Sequence, residues 1–311
     1  MVDAASQQVL RFDSAGRLVA SFSARDQGAN GPHRIDYLGV TPRGEWAAFD
    51  IGAQQLLLLD TTGTHRGAVA LPALEGATWP AVIGMTSEGR LVFRGRALAS
   101  PGLPDGVRAD SDRLHVVDPA TGRVTSTWDP LPSFRFHVAR GYTFTLPYEP
   151  ARSNAVVDSL VAWAPGTGNV IMLANSAGRV SDSLHATFSP CTVPASEPGY
   201  LRAHATERRG MMGSRGAFLQ VLRESQLPDQ APFITALVGM PPGELLVRGW
   251  TPAESTSVTW QRLSLADSVL GEFTLPATAR ILAARAGRIL VADADKERMS
   301  LAEYRLDRTS P

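Results

Sequence analysis

One stretch decides the fold: Leu57-Leu-Leu-Asp-Thr-Thr-Gly-Thr-His-Arg-Gly-Ala-Val-Ala-Leu71. Two β-type runs flank a polar turn that contains Asp60 and Gly63. An aspartate caps such a turn through its side chain, and a glycine accepts the positive φ that closes a hairpin. The pattern returns at 9–22 and 114–128, and weaker copies lie at 172–180 and 260–275. The sequence therefore predicts that one hairpin unit repeats along the chain.

A second pattern precedes most of these hairpins. A glycine stands just before an apolar run at Gly44, Gly89, Gly243 and Gly287, and another short apolar run lies upstream of each. Each repeat thus contains four short strands. Four-stranded units of about 40 to 50 residues are typical of a β-propeller and not of a β-sandwich.

We predict an all-β fold, a six-bladed β-propeller with four-stranded antiparallel blades, in one domain over residues 1–311. The predicted blades are 2–23, 33–72, 80–129, 134–188, 232–276 and 280–308. The first predicted blade lacks its innermost strand, and the last predicted blade lacks its outermost strand. Because propellers close when one terminus completes the blade of the other, we expect about 15 to 25 residues of propeller to be missing before Met1. The alternative is imperfect closure.

A helical insertion over 199–226 interrupts the β pattern. Phe218 and Leu222 have the i, i+4 spacing of one helix face. We predict a helix over 216–225 that ends before Pro228, with room for a short helix before it.

Composition and charge exclude several classes of function. The 311 residues carry 30 basic and 30 acidic side chains, and a chain of zero net charge lacks the basic excess that nucleic-acid binding needs. No apolar stretch approaches the roughly 20 residues of a membrane span. We expect no signal peptide within the residues given, because Met1–Ser6 has neither a basic nor an apolar region. The single cysteine, Cys191, excludes an internal disulfide. We expect a monomer.

The sequence contains no catalytic motif of the common hydrolase, zinc-protease or phosphate-loop types. Candidate site residues instead follow from strand position. Innermost strands of a propeller line its central channel, where polar groups of different blades converge. On this basis we predict a ligand site formed by His33, Arg34, Asp36, Arg135 and His137.

The stretch Val2–Phe22 resembles an NHL-like repeat of bacterial six-bladed β-propeller proteins, and Trp260–Leu275 with 282–306 is similar to their last blades. The resemblance implies the propeller fold. It also implies that the full-length protein is extracytoplasmic, in the periplasm or cell envelope. It assigns no functional residue.

Two functions remain open. The first is a non-catalytic binding or interaction propeller for a protein, peptide or glycan, without a cofactor. The alternative is a calcium-dependent hydrolase similar to lactonases and esterases, whose metal would be held in the channel by Glu, Asn and Asp side chains. Asp36 is the clear acidic residue on a predicted innermost strand, and this scarcity favours the binding protein.

Overall fold

The computed structural model describes residues 2–3, 8–13, 17–23, 34–75, 79–96, 104–204, 215–266, 268–294 and 299–306. The chain divides into two compact units. The first contains 1–98, 112–130 and 176–178, and the second contains 99–111, 131–175 and 179–311. Within the described residues, no helix is both long and apolar enough to cross a bilayer.

The first unit consists of antiparallel sheets whose strands pair in chain order. The first sheet has β1 (Val2–Asp3), β2 (Gln8–Phe12) and β3 (Leu18–Ser23). The second has β4 (Ile35–Val40), β5 (Trp46–Asp50), β6 (Gln55–Leu59) and β7 (His65–Ala70). The third has β8 (Trp79–Met85), β9 (Leu91–Arg96), β10 (Gly106–Val117) and β11 (Val124–Thr127).

The second unit contains three further sheets in chain order. One has β14 (Ser153–Val157), β15 (Leu160–Ala164), β16 (Val170–Ala174) and β17 (Val180–His185). The next has β18 (Ile234–Met240), β19 (Glu244–Gly249), β20 (Ser257–Ser264) and β21 (Ser268–Pro276). A three-stranded sheet has β22 (Ala279–Arg285), β23 (Arg288–Ala294) and β24 (Met299–Arg305).

One segment differs from the prediction. Residues 106–111 of β10 belong to the second unit, where β12 (Leu131–Ala139) pairs with β10, and β13 (Tyr142–Phe144) pairs with β12. We expected the strand at 134–142 to be the innermost strand of the fourth blade. The sheet of residues 153–185 begins instead with β14, because the two-residue turn at Asp158 and Ser159 closes a hairpin between β14 and β15.

The apolar core lies between consecutive sheets. Along β19, Leu245 and Val247 pack against the sheet β14–β17, whereas Leu246 packs against the sheet β22–β24. Side chains alternate between the two faces of a strand, so this sheet is buried on both faces.

The first strands of consecutive sheets contact one another. In the second unit β14 contacts β18, which contacts β22, and in the first unit β1 contacts β4, which contacts β8. Sheets stacked in this way are propeller blades, so the predicted fold class is confirmed. The blade count and the single domain stay predictions.

Two short helices interrupt the strands where the insertion was predicted. They are α1 (Glu197–Ala203) and α2 (Arg215–Glu224). The buried face of α2 includes Phe218 and Leu222, which pack with Leu201 of α1 and with Phe144 of β13. The helices therefore cover β12 and β13, and the predicted helical insertion is confirmed.

The repeated hairpin turns are built as predicted. The Asp60 carboxylate accepts hydrogen bonds from the backbone N–H groups of Thr62 and Thr64, both at 2.9 Å, and Gly63 follows with φ 89°. Asn175 accepts one from the Arg179 N–H at 3.2 Å in the equivalent turn between β16 and β17. The side-chain cap fixes the turn, and the turn fixes the register of the two outer strands.

Candidate functional site

The structure separates the predicted site residues between the two units. His33 lies outside the described residues. Arg34 and Asp36 belong to the first unit and are exposed, and the Arg34 N–H donates to the buried Asp50 carboxylate at 2.9 Å. Arg135 and His137 belong to the second unit, on β12. The prediction that these residues line one channel stays a prediction.

His137 is a buried residue with a specific partner. Its Nε2 lies 2.9 Å from Oε1 of Glu149, and only 8% of each side chain is exposed. Arg135, two residues earlier on the same strand, is exposed. The hydrogen bond ties β12 to the connection that leads to β14.

A cleft in the second unit brings together side chains that the sequence did not connect. Its volume is about 300 Å³, at the lower end of the range for small-molecule sites. Arg248 at the end of β19 and the residues that follow it form one wall, and Thr235 of β18 lies beside it. Pro147 and Glu197, the first residue of α1, also line it. We call it the Arg248 cleft.

Arg248 is a half-buried cation at the wall of the cleft. Among the described residues no carboxylate lies within ion-pairing distance of its guanidinium, and its buried Nε has no hydrogen-bond acceptor. Burial lowers the pKa of Arg248, and the positive charge of Arg280 on β22 lowers it further. Burying a charge is costly unless something pairs with it, so this guanidinium is suited to an anion.

A second unpaired donor lies next to Arg248 across the sheet. The register of β19 and β20 places Arg248 opposite Trp260, so both side chains lie on the same face. Trp260 is 4% exposed, and its indole N–H has no acceptor among the described residues. Two donors on one face of the sheet therefore lack acceptors within the described part of the chain.

An earlier sheet provides an internal comparison. Arg94 in Leu91-Val-Phe-Arg94 corresponds to Arg248 in Leu245-Leu-Val-Arg248. The Asp112 carboxylate of β10 lies 3.9 Å from the Arg94 guanidinium. The strand that neighbours Arg248, β20, contains no acidic residue. The position of Arg94 thus has a carboxylate beside it, whereas the equivalent position of Arg248 has none among the described residues.

The other polar groups of the cleft have distinct roles. The Glu197 carboxylate accepts hydrogen bonds from the Ala253 N–H at 3.1 and 3.2 Å, which fixes the segment after β19 to α1. The Thr235 hydroxyl donates to the carbonyl oxygens of Arg248 and Gly249. The Trp250 indole N–H donates to the Pro147 carbonyl at 3.0 Å. These bonds hold the walls of the cleft before any ligand arrives.

Sequence reasoning missed Arg248 because its strand looked like an ordinary apolar strand. Two signals were present in the sequence. Arg248 is two residues after Leu246 and so lies on the same face of the strand, and the strand that follows has no acidic residue. Within the described residues, no three His, Cys, Asp or Glu side chains come together as candidate metal ligands.

Comparisons with known proteins support the fold and leave the function open. No protein-family model matches the chain, and no curated protein matches its sequence. Several solved β-propeller structures are similar to it. A member of the DUF4221 family from Bacteroides vulgatus has a TM-score of 0.51 at 10% identity, over 96% of this chain and 86% of that one. This likeness shows the propeller fold alone.

Two other solved structures are more distant. A putative exported protein from Bacteroides fragilis has a TM-score of 0.49 at 11% identity, over 94% of this chain and 75% of that one. A streptogramin B lyase has a TM-score of 0.43 at 13% identity, over 98% of this chain and 78% of that one.

Proposed function

We propose that the chain is a non-catalytic binding propeller that holds the anionic group of its ligand in the Arg248 cleft. One observation carries the proposal: a half-buried guanidinium lines a preformed cleft without a carboxylate partner among the described residues. The proposal narrows the protein, peptide or glycan ligand expected from the sequence to one that carries negative charge. It includes the extracytoplasmic location that the NHL-like resemblance implies.

Electrostatics near the cleft favour an anion further. Arg280 lies close enough for its charge to lower the pKa of Arg248, and it too forms no ion pair among the described residues. Two neighbouring like charges without counter-ions repel each other, and an anion between or beside them relieves that repulsion. A guanidinium binds carboxylate, sulfate and phosphate groups through parallel N–H donors.

Calorimetric titration with sulfate, phosphate and acetate at low ionic strength tests the proposal. We expect Arg248→Gln to weaken anion binding at least about tenfold, because a charge-assisted hydrogen bond is lost. Arg285→Gln is the matched control, since Arg285 is an exposed arginine on β22, the strand of Arg280. Absence of anion binding, or equal binding by Arg248→Gln, would refute the proposal. A stoichiometric calcium ion in a parallel titration would favour the hydrolase instead.

A further inference from the structure

We propose that the ligand of the Arg248 cleft is an acidic sugar, a pyranose ring that carries one carboxylate or sulfate group. This inference rests on the proposed function and adds the chemistry of the uncharged part of the ligand. The cleft around Arg248 is lined by uncharged aromatic and hydroxyl side chains, among them Trp250, Thr251 and Ser255.

Trp250 offers an apolar surface that is fixed in place. Its indole N–H is bonded to the Pro147 carbonyl, and part of the side chain packs against the helix-bearing core around Phe218. The rest lines the cleft. An aromatic side chain held by a hydrogen bond loses less entropy on binding than a free one, and the apolar C–H face of a pyranose packs well on an indole.

Two hydroxyl groups in the cleft are available to a ligand. The side chains of Thr251 and Ser255 line it, and neither makes a hydrogen bond within the part of the chain that the structure describes. A hydroxyl is both donor and acceptor, so each can pair with a sugar hydroxyl. The Thr235 hydroxyl already donates to backbone carbonyls, which leaves it able to accept.

The backbone around the cleft argues against a peptide. Peptides are commonly held by main-chain hydrogen bonds from an open strand. Three lining residues already use their backbone N–H groups: Ala253 donates to Glu197, Ser255 to Pro252 and Ala277 to Thr256. The Glu197 carboxylate also lines the cleft, but it is 2% exposed and accepts the Ala253 N–H. The other side chains that a ligand meets are a guanidinium, hydroxyl groups and an aromatic surface. A volume of about 300 Å³ suits one ring with its substituent.

The test uses the full chain and a panel of small probes, with dissociation constants measured by calorimetry or ligand-observed NMR. The panel contains methyl glucuronide, glucose 6-sulfate, methyl glucoside, acetate, sulfate and a diglutamate peptide. We expect one or both acidic sugars to bind at least about tenfold more tightly than the neutral sugar, the simple anion or the peptide. Preference between the two acidic sugars identifies the anionic group as carboxylate or sulfate.

Variants separate the inference from the proposed function. Ser255→Ala is expected to weaken acidic-sugar binding about fivefold or more and to leave the binding of acetate and sulfate unchanged. Trp250→Leu also removes the hydrogen bond to the Pro147 carbonyl, so it is expected to weaken acidic-sugar binding by a larger factor than the binding of acetate or sulfate. Arg248→Gln is expected to weaken the binding of the acidic sugars and also that of acetate and sulfate. Thr256→Val, at an exposed position next to Ser255, is the control. Ser255→Ala keeps the test valid if Trp250→Leu does not fold, as judged by circular dichroism.

Each failure has a separate meaning. If acetate or sulfate binds as tightly as the acidic sugars, or the peptide binds best, the sugar inference is overturned and the anion site stands. If Ser255→Ala and Trp250→Leu both bind the acidic sugars normally, the inference fails as well. If no anion of any kind binds, the proposed function fails with it.

Discussion

Arg262 binds Glu244 through two parallel hydrogen bonds, from Nε at 2.7 Å and from Nη2 at 2.8 Å, between neighbouring strands of one sheet. Both side chains are nearly buried, with 7% and 11% exposed. A third donor, Nη1, reaches the Leu306 carbonyl at 3.0 Å, just after β24. The guanidinium therefore joins the sheet β18–β21 to the last strand of the next sheet.

Removing this guanidinium is expected to be costly. Arg262→Met keeps much of the side-chain length and leaves the Glu244 carboxylate buried without its cation. We expect a loss of about 3 to 5 kcal/mol in the free energy of unfolding, measured by urea denaturation. Arg288→Met is the control, because the Arg288–Glu303 pair is 64% and 57% exposed and should contribute less than about 1 kcal/mol. Equal losses of unfolding free energy in the two variants would contradict a special contribution of the buried Arg262–Glu244 pair to stability.

The buried pair of His137 and Glu149 is expected to show energetic coupling. His137→Ala leaves a buried carboxylate without its partner, which should cost about 1 to 3 kcal/mol of unfolding free energy. In a double-mutant cycle with Glu149→Ala, the double variant should lose at least about 0.5 kcal/mol less than the sum of the single losses. Strict additivity would show that the hydrogen bond contributes nothing to stability.

Gly239 is required by the close approach of two blades. A Cβ at this position would overlap the carbonyl oxygen of Val156 on β14 and lie 2.8 Å from its carbonyl carbon. Gly239→Ala should therefore destabilise the second unit by about 2 kcal/mol or more, because the clash is with backbone. Gly168→Ala is the matched control, since a Cβ at Gly168 meets no atom within 4 Å. Thermal melting of both variants measures the difference.

The Asp60 turn is expected to weaken in acid. The hydrogen bond from the Thr62 hydroxyl, with those from the Thr64 and Thr62 backbone and the charge of Arg66, lowers the pKa of Asp60 from 3.8 to about 2. A folded-state pKa below the unfolded value means that the stabilisation is fully present above pH 3.8 and is lost as the pH falls toward 2.

The Asp60→Asn variant tests the direction of this pH dependence. Its melting temperature should lie below that of the parent at pH 5 to 7, and the difference should shrink between about pH 4 and 2. Asp36→Asn changes an exposed aspartate of the same unit and serves as the control. A gap that widens in acid would contradict the assignment of the hydrogen bonds to the ionised carboxylate.

The repeats predicted the fold because the turns carry local chemistry that the sequence displays. The Asp60 and Asn175 turns each need a side-chain acceptor, and Gly63 follows with a positive φ, so hairpins could be read directly. The strand at 134–142 was assigned to the wrong sheet. Its β character was predicted correctly, but β12 pairs with β10, which precedes β11 in the chain, and no local sequence pattern marks that pairing.

The cleft was beyond prediction for a related reason. Arg248, Trp250 and Ser255 are neighbours in sequence, but Pro147 and Glu197 come from distant segments, and only the fold brings them together. Whether a carboxylate faces Arg248 across the sheet depends on which strand pairs with β19, and that strand, β20, has no acidic residue. Equal numbers of acidic and basic residues in the composition do not show which arginine has a carboxylate beside it in the fold.

The single thiol of the chain has a practical consequence. Cys191 is exposed, in the connection that precedes α1, whose first residue lines the cleft. A maleimide dye would therefore label the molecule at one defined place, and its emission could follow ligand binding without further engineering. The same exposure allows two chains to cross-link under air, so a reducing agent belongs in every buffer used for such work.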